Sequence, residues 1–122
     1  MTTFQRRAVL AVASLAAAGV TLTALTGRSQ GQVREFSVSG RDYAFAPPRI
    51  EVQKDDLVKV TFTSADIAHS FTIDQYRISK RAGANQSVVF EFRADQAGTF
   101  PFYCNLTQDS KCREMRGQLV VR

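Results

Sequence analysis

Two cysteines and a methionine lie close together near the C-terminal end of the chain. Cys104, Cys112 and Met115 all fall within residues 100–117, a segment that begins as an apolar, strand-like stretch. The single histidine of the sequence, His69, lies in a second apolar stretch. Thiolate, thioether and imidazole together favour copper over hard cations such as calcium and magnesium. The sequence therefore predicts a soft-metal site that holds one copper ion between two distant segments.

The first 31 residues differ in composition from the rest of the chain. Arg6 and Arg7 precede an unbroken run of small and apolar residues, 8–25, and a short polar segment then ends at Gly31. This order is typical of a secretory leader, and the paired arginines resemble a twin-arginine signal. Either the leader is cut after Gly31, or residues 8–25 stay as an anchor helix, since the run is about long enough to cross a bilayer. In both cases residues 32–122 are expected in the periplasm or another extracytoplasmic space.

The leader contributes much of the net positive charge of the chain. The sequence predicts a leader over residues 1–31 and one folded domain over residues 32–122. The whole chain of 122 residues has a net charge of +5, and removing the leader's three arginines reduces 16 basic residues to 13 against 11 acidic ones, a net charge of +2. No basic stripe with interleaved aromatic residues is left to indicate a nucleic-acid partner. No paired carboxylates, phosphate-binding glycine loop or nucleotide motif is visible, so we do not expect an enzyme.

From residue 33 onward, apolar and polar residues alternate in short runs. Such alternation with a period of two marks half-buried strands. Turn-forming residues separate the runs, among them residues 39–40 and residues 47–48. About seven short strands in roughly 90 residues predict an all-β Greek-key sandwich or barrel, with no helix after the leader. The apolar residues of the runs are Phe36 and Val38; Ile50 and Val52; Val58, Val60 and Phe62; Phe71 and Ile73; Val88, Phe90 and Phe92; Phe100 and Phe102; Leu119 and Val121.

The same alternation predicts the direction of two candidate ligands. His69 shares the parity of Phe71, and Cys104 shares the parity of Phe100 and Phe102. If these phenylalanines face the core, the histidine and the cysteine face it too. Each lies at the end of its strand, and strand ends with their adjoining loops are where such folds carry their sites.

Five segments, taken in their order along the chain, resemble the cupredoxin family. The resemblance is greatest to the copper-binding domain of cytochrome c oxidase subunit II and its small periplasmic relatives, and it covers nearly all of residues 33–122. It implies a cupredoxin-like fold. The segments are Tyr43-Ala-Phe-Ala-Pro-Pro-Arg-Ile50, Lys54-Asp-Asp-Leu-Val58, Thr63-Ser-Ala-Asp-Ile-Ala-His-Ser-Phe71, Ala97-Gly-Thr-Phe-Pro-Phe-Tyr-Cys104 and Met115-Arg-Gly-Gln-Leu-Val-Val121.

The resemblance implies a ligand set with two departures from the family pattern. His69 and Cys104 match the first histidine and the cysteine of the family, but Gln108 stands where subunit II has its second cysteine, and Cys112 stands where it has a histidine. A dinuclear centre is therefore not expected, and a blue-copper site with two histidines cannot form. The implied metal ligands are His69, Cys104, Cys112 and Met115. They would serve one-electron transfer or copper carriage, with a redox or copper-handling protein as partner.

The resemblance leaves a second interpretation open for the two cysteines. The corresponding positions in the relatives both contact one metal ion, so the sulfurs of Cys104 and Cys112 would also be close enough to form a disulfide in an oxidising compartment. Closing so short a loop would stabilise the domain by about 2.5 kcal/mol. His69 and Met115 alone are too few ligands to hold copper tightly. The protein would then be a metal-free cupredoxin-fold module with a structural or binding role.

Overall fold

The computed structural model describes residues 31–122, so the predicted leader and its apolar run lie outside the described residues. The described residues form nine β-strands and no α-helix. Two short 3-10 helices cover Asp74–Tyr76 and Ser110–Glu114. Within residues 31–122, none of the helical segments has the length and apolar character needed to cross a membrane. The strands are β1 (Val33–Arg41), β2 (Ala44–Ala46), β3 (Arg49–Val52), β4 (Leu57–Ser64), β5 (His69–Ile73), β6 (Ile78–Ala82), β7 (Ser87–Arg93), β8 (Gly98–Tyr103) and β9 (Arg116–Val121).

The strands form two mixed sheets. The first has four strands in the order β2-β1-β4-β7, and the second has five strands in the order β3-β9-β8-β5-β6. β1 runs parallel to β4 and β3 runs parallel to β9, whereas the other pairs are antiparallel. Buried side chains from both sheets form one hydrophobic cluster. The predicted all-β sandwich is confirmed.

Two of the nine strands were not predicted from the sequence. The seven alternating runs are confirmed as β1, β3, β4, β5, β7, β8 and β9. β2 is only three residues long and ends directly before Pro47. β6 has buried residues only at its two ends, with three exposed polar residues between them, so it shows no period of two. Strands this short or this exposed give no clear pattern, because few of their side chains enter the core.

The predicted turn at residues 39–40 is wrong. Both residues lie inside β1 and pair with β2 on one side and β4 on the other. Glycine at position 40 lets the His69 ring approach the strand closely, because a Cβ there would lie 3.2 Å from Cδ2 of His69, a tight contact. The chain turns instead at Asp42 and Tyr43, whose φ angles are 51° and 59°. Two consecutive residues of this kind form the tight turn that joins β1 to β2.

Phenylalanines from both sheets fill the core beside the candidate site. Phe71 of β5 and Phe102 of β8 stack with ring centroids 4.6 Å apart. Phe45 of β2 meets both rings edge-on, at 5.7 and 5.0 Å. Aromatic rings of this kind bury large apolar areas and pack with specific geometry. They therefore fix the ends of β5 and β8, which carry His69 and lead to Cys104.

Candidate metal centre

Cys104 and Cys112 are joined by a disulfide bond, with their Cα atoms 5.2 Å apart. Cys104 follows the last residue of β8, and Cys112 lies in the second 3-10 helix. Their exposed fractions are 0% and 1%. The pairing that the sequence left open is therefore present in the structure, and in this state neither sulfur offers a thiolate to a metal.

Each sulfur of the disulfide accepts a hydrogen bond from a backbone N–H group. Ser70 in β5 donates to Sγ of Cys104 at 3.3 Å, and Leu106 donates to Sγ of Cys112 at 3.1 Å. Hydrogen bonds to a charged form stabilise that form. Both sulfurs are thus placed where a negative charge would be stabilised after reduction.

His69 is fully buried, and its two ring nitrogens have different surroundings. Nε2 lies 2.6 Å from Oδ1 of Asp66. Nδ1 is buried and has no hydrogen-bond partner among residues 31–122. A carboxylate accepts only, so Nε2 carries the hydrogen and donates to Asp66, which leaves the lone pair of a neutral ring on Nδ1. A buried hydrogen-bond acceptor without a partner is uncommon in folded proteins. The lone pair of Nδ1 is therefore available to coordinate a metal ion.

Asp66 is held in place by the backbone on both of its oxygens. The N–H of Asp42 donates to Oδ2 at 2.8 Å, and the N–H of Ile67 donates to Oδ1 at 2.7 Å. The pKa of Asp66 is lowered from 3.8 to about 2, first because of the hydrogen bond from Asp42 and further because of the one from His69, although burial opposes the shift. The carboxylate therefore stays ionised at neutral pH and keeps His69 in one tautomer.

Tyr43 links His69 to the segment that carries Cys112. Its ring meets the imidazole edge-on, with centroids 5.9 Å apart, and its hydroxyl donates to Oδ2 of Asp109 at 2.7 Å. This hydrogen bond raises the pKa of Tyr43. Nζ of Lys111 lies 5.7 Å from the centre of the same ring. A bulky residue with a positive φ is unusual and is held only by strong surrounding contacts, which these interactions provide.

Met115 is brought to the disulfide by its backbone. Its N–H donates to the carbonyl of Cys112 at 3.0 Å, and its own carbonyl accepts from the N–H of Cys104 at 3.3 Å. The side chain is fully buried. The structure thus joins Cys104 to Cys112 and brings the backbone of Met115 into contact with both, and His69 lies beside Ser70, which contacts Cys104. The four-residue ligand set stays a prediction, because residues 31–122 contain no group of three or more His, Cys, Asp and Glu side chains placed to hold a metal ion.

Two residues of the site were missed by the sequence reasoning. Asp66 lies three positions before His69 in one of the five resembling segments, so that spacing was the available signal. Tyr43 lies 66 positions from Asp109, and no local pattern relates the two. Its role depends entirely on the turn that joins β1 to β2.

Comparison with known proteins agrees with the fold. A protein-family model described as "Cupredoxin-like domain" matches residues 14–121. This chain belongs to the cupredoxin-like family. The resemblance seen in the five sequence segments is confirmed, and the match begins inside the predicted leader.

Three solved structures illustrate what the cupredoxin-like domain is similar to. Auracyanin A, a blue copper protein of Chloroflexus aurantiacus, is 19% identical, with a TM-score of 0.64, and the match covers 74% of this chain and 99% of that one. The metal-binding domain of the Cu(I)-exporting P-type ATPase CopA from Streptococcus pneumoniae D39 is 17% identical, with a TM-score of 0.63 and coverage of 79% and 99%. The periplasmic domain of cytochrome oxidase subunit II (CoxB) from Bradyrhizobium japonicum is 15% identical, with a TM-score of 0.64 and coverage of 72% and 83%. These matches establish a shared fold.

Proposed function

We propose that the cupredoxin-like domain binds one copper ion when the bond between Cys104 and Cys112 is reduced to a dithiol. The donors are Nδ1 of His69, the two thiolates and the thioether of Met115. The observation that carries this proposal is the buried Nδ1 without a hydrogen-bond partner among residues 31–122, on a ring whose Nε2 donates to Asp66. A histidine that binds a metal almost always gives its other ring N–H to a carboxylate, carbonyl or water.

The donor set fits copper only in the dithiol state. With the disulfide intact, the site offers one imidazole nitrogen and one thioether, which are too few to hold copper tightly. Reduction adds two thiolates, and soft sulfur ligands with an imidazole suit Cu(I). Copper held there would supply one-electron transfer between its two oxidation states or would itself be the cargo. The N–H groups of Ser70 and Leu106 stabilise the thiolates, and Asp66 orients the imidazole.

The domain is exported and meets its partner outside the cytoplasm. Residues 1–31 act as a secretory leader or remain as a membrane anchor, and residues 32–122 are the exported domain. The partner is a redox protein or a copper-handling protein. Support comes from neighbours of the same fold, one of which is a periplasmic domain of an oxidase subunit and another a metal-binding domain of a Cu(I)-exporting ATPase. The domain catalyses no reaction by itself.

A second candidate function is supported by the disulfide bond itself. A permanently oxidised domain would be a metal-free module, stapled between the end of β8 and the segment before β9. Its loop closure would contribute about 2.5 kcal/mol to the free energy of unfolding. In that case His69 and Asp66 would serve only to join β5 to the turn at Asp42.

Metal and thiol measurements on the full chain separate the two candidates. The protein is purified from copper-supplemented periplasm, and its copper content and titratable thiols are counted. A sample is then reduced without oxygen and titrated with Cu(I) against a chromogenic chelator, while its melting temperature is followed. We expect about one copper per reduced chain and a higher melting temperature with copper, because a ligand that binds only the native state stabilises it.

The matched controls are the oxidised protein and a double variant, Cys104→Ser with Cys112→Ser. Both should leave Cu(I) bound to the chelator, and adding copper should not change the melting temperature of either one. If the reduced wild-type chain also binds no copper, the copper proposal is wrong and the stapled module is the better description.

A further inference from the structure

We propose that Cys112 is the sulfur at which a protein dithiol attacks the disulfide, so that reduction passes through a mixed disulfide on Cys112. This inference deepens the proposed function, since copper binding requires the dithiol. Its experiment uses no metal, so its result does not depend on whether copper binds. The two halves of the bond are held very differently.

The Cys104 half of the bond belongs to the five-stranded sheet. The preceding residue, Tyr103, pairs with Thr72 of β5 and with Arg116 of β9. Sγ of Cys104 is held by the N–H of Ser70 in β5. Cys104 is fully buried, so exposing its sulfur would disturb these contacts with β5 and β9. Cys104 is therefore poorly placed to be attacked and well placed to remain as the leaving thiolate.

The Cys112 half lies in a segment, residues 105–114, that forms no strand. The backbone bonds around Cys112 stay close in sequence: its N–H donates to the carbonyl of Asp109, and its carbonyl accepts from Met115. At 1% exposure this sulfur also needs an opening before it can react. Opening is easiest where few long-range contacts are lost. Among residues 31–122, the long-range hydrogen bond made by residues 106–114 is the one from Tyr43 to Asp109, so this segment opens more easily than the paired end of β8.

The segment that carries Cys112 also exposes positive charge. Lys111 and Arg113 flank Cys112 in the sequence, and both are exposed. Within residues 31–122 neither takes part in an ion pair. The acidic neighbours are Asp109, which already accepts the hydroxyl of Tyr43, and Glu114. Because the attacking group in thiol exchange is an anionic thiolate, the two exposed cations attract it to the surface formed by the segment that carries Cys112.

The exchange is balanced in two steps. The partner's first thiolate attacks Sγ of Cys112, a new sulfur–sulfur bond forms, and Cys104 leaves as a thiolate that accepts the N–H of Ser70. The partner's second thiol then attacks the partner's first sulfur, which is bonded to Cys112 in the mixed disulfide, and Cys112 leaves as a thiolate. Two electrons pass to this chain, its two thiols take up two protons, and the partner dithiol ends as a disulfide.

Glutathione, an anionic monothiol, is the probe for the first step. Oxidised full-length protein is exposed to it briefly, quenched in acid, alkylated and mapped by mass spectrometry. We expect glutathione on Cys112 and the alkyl group on Cys104, in excess over the reverse pattern by about tenfold. The same reaction in denaturant is the control, and the excess should fall several-fold there, because unfolding removes the sheet contacts that bury Cys104 and leaves only the sequence neighbours Lys111 and Arg113 to distinguish the two sulfurs.

A double variant, Lys111→Gln with Arg113→Gln, tests the effect of the two cations. It should react with glutathione about threefold more slowly than wild type, while its rate with cysteamine, a cationic thiol, should not fall. Glutathione found mainly on Cys104, or equally on both cysteines, would overturn the proposal. So would a native protein that forms no mixed disulfide at all while the denatured protein does.

Discussion

Nε2 of His69 lies 2.6 Å from Oδ1 of Asp66, three residues earlier in the chain. This single contact decides which nitrogen of the only histidine is free, because the ionised carboxylate keeps the hydrogen on Nε2. The free nitrogen, Nδ1, is buried at the same end of β5 as the contact between Ser70 and Cys104. The chemistry of the site therefore depends on an aspartate outside the predicted ligand set.

Replacing Asp66 should weaken copper binding to the reduced protein. Asp66→Asn removes the charge that fixes the tautomer, and losses of such supporting groups typically cost about ten- to one hundredfold in metal affinity. Competition with a Cu(I) chelator measures the change. Asp42→Asn is the matched control, because the backbone N–H of Asp42, not its exposed side chain, contacts Asp66. Equal affinity in both variants would show that Asp66 does not position a ligand.

Asp66 should also shape the acid stability of the domain. Its pKa in the folded state is about 2, below its ordinary value of 3.8. A carboxyl with a lowered pKa stabilises the fold above its unfolded pKa and loses that contribution as the pH falls through the folded pKa. We therefore expect stability to decrease as the pH falls from 3.8 to about 2, as urea unfolding at several pH values would show.

Asp66→Asn should make the free energy of unfolding less dependent on pH in this range, by a slope that corresponds to at most about one proton taken up on unfolding. Some of the slope should remain in the variant because of Asp56. Burial raises the pKa of Asp56, but hydrogen bonds from the N–H groups of Gln32 and Gln53 outweigh it, so that the pKa of Asp56 is also lowered. An unchanged slope in the Asp66 variant would contradict the assignment of its pKa shift.

Cys112→His should convert the site into one with two imidazoles and one thiolate. The substitution opens the disulfide, frees Cys104 and restores a histidine at a position where the resembling family has one. Two histidines with one cysteine form the blue-copper ligand set, so adding Cu(II) should give an intense blue absorption. Cys112→Ser is the control and should stay without that band. A colourless histidine variant that is folded would mean that His69 and Cys104 do not converge on one ion.

The hydroxyl of Tyr43 should slow reduction of the disulfide. Its hydrogen bond to Asp109 connects residues 105–114, the segment that contains Cys112, to the turn between β1 and β2. Tyr43→Phe removes that bond and leaves the ring in place, and one hydrogen bond of about 1 kcal/mol corresponds to about a fivefold faster reduction. The rate with dithiothreitol measures this. Tyr103→Phe is the matched control, because Tyr103 also donates to an aspartate, Asp74, which lies outside residues 105–114. Similar rates in both variants would rule out this role.

Most of the sandwich followed from the sequence, because period-two alternation reflects burial on one face of a strand. His69 and Cys104 were predicted to face the core from the parity of Phe71 and Phe102, and all four are fully buried. β6 was not predicted, because its three central residues are exposed and polar and so show no alternation. The turn predicted at residues 39–40 is absent, since glycine at position 40 serves the approach of the His69 ring and not a reversal of the chain.

The sequence by itself determined which chemical groups the protein has: one imidazole, two thiols and a thioether at recognisable positions of a β-sandwich. Only the tertiary structure decided how they are joined, because bond formation depends on distances between segments that the chain order does not set. It paired Cys104 with Cys112, gave the N–H of His69 to Asp66 and placed Tyr43 between the imidazole and Asp109. Alternation encodes which side of a strand is buried, but contacts between the ends of different strands arise only when the two sheets pack.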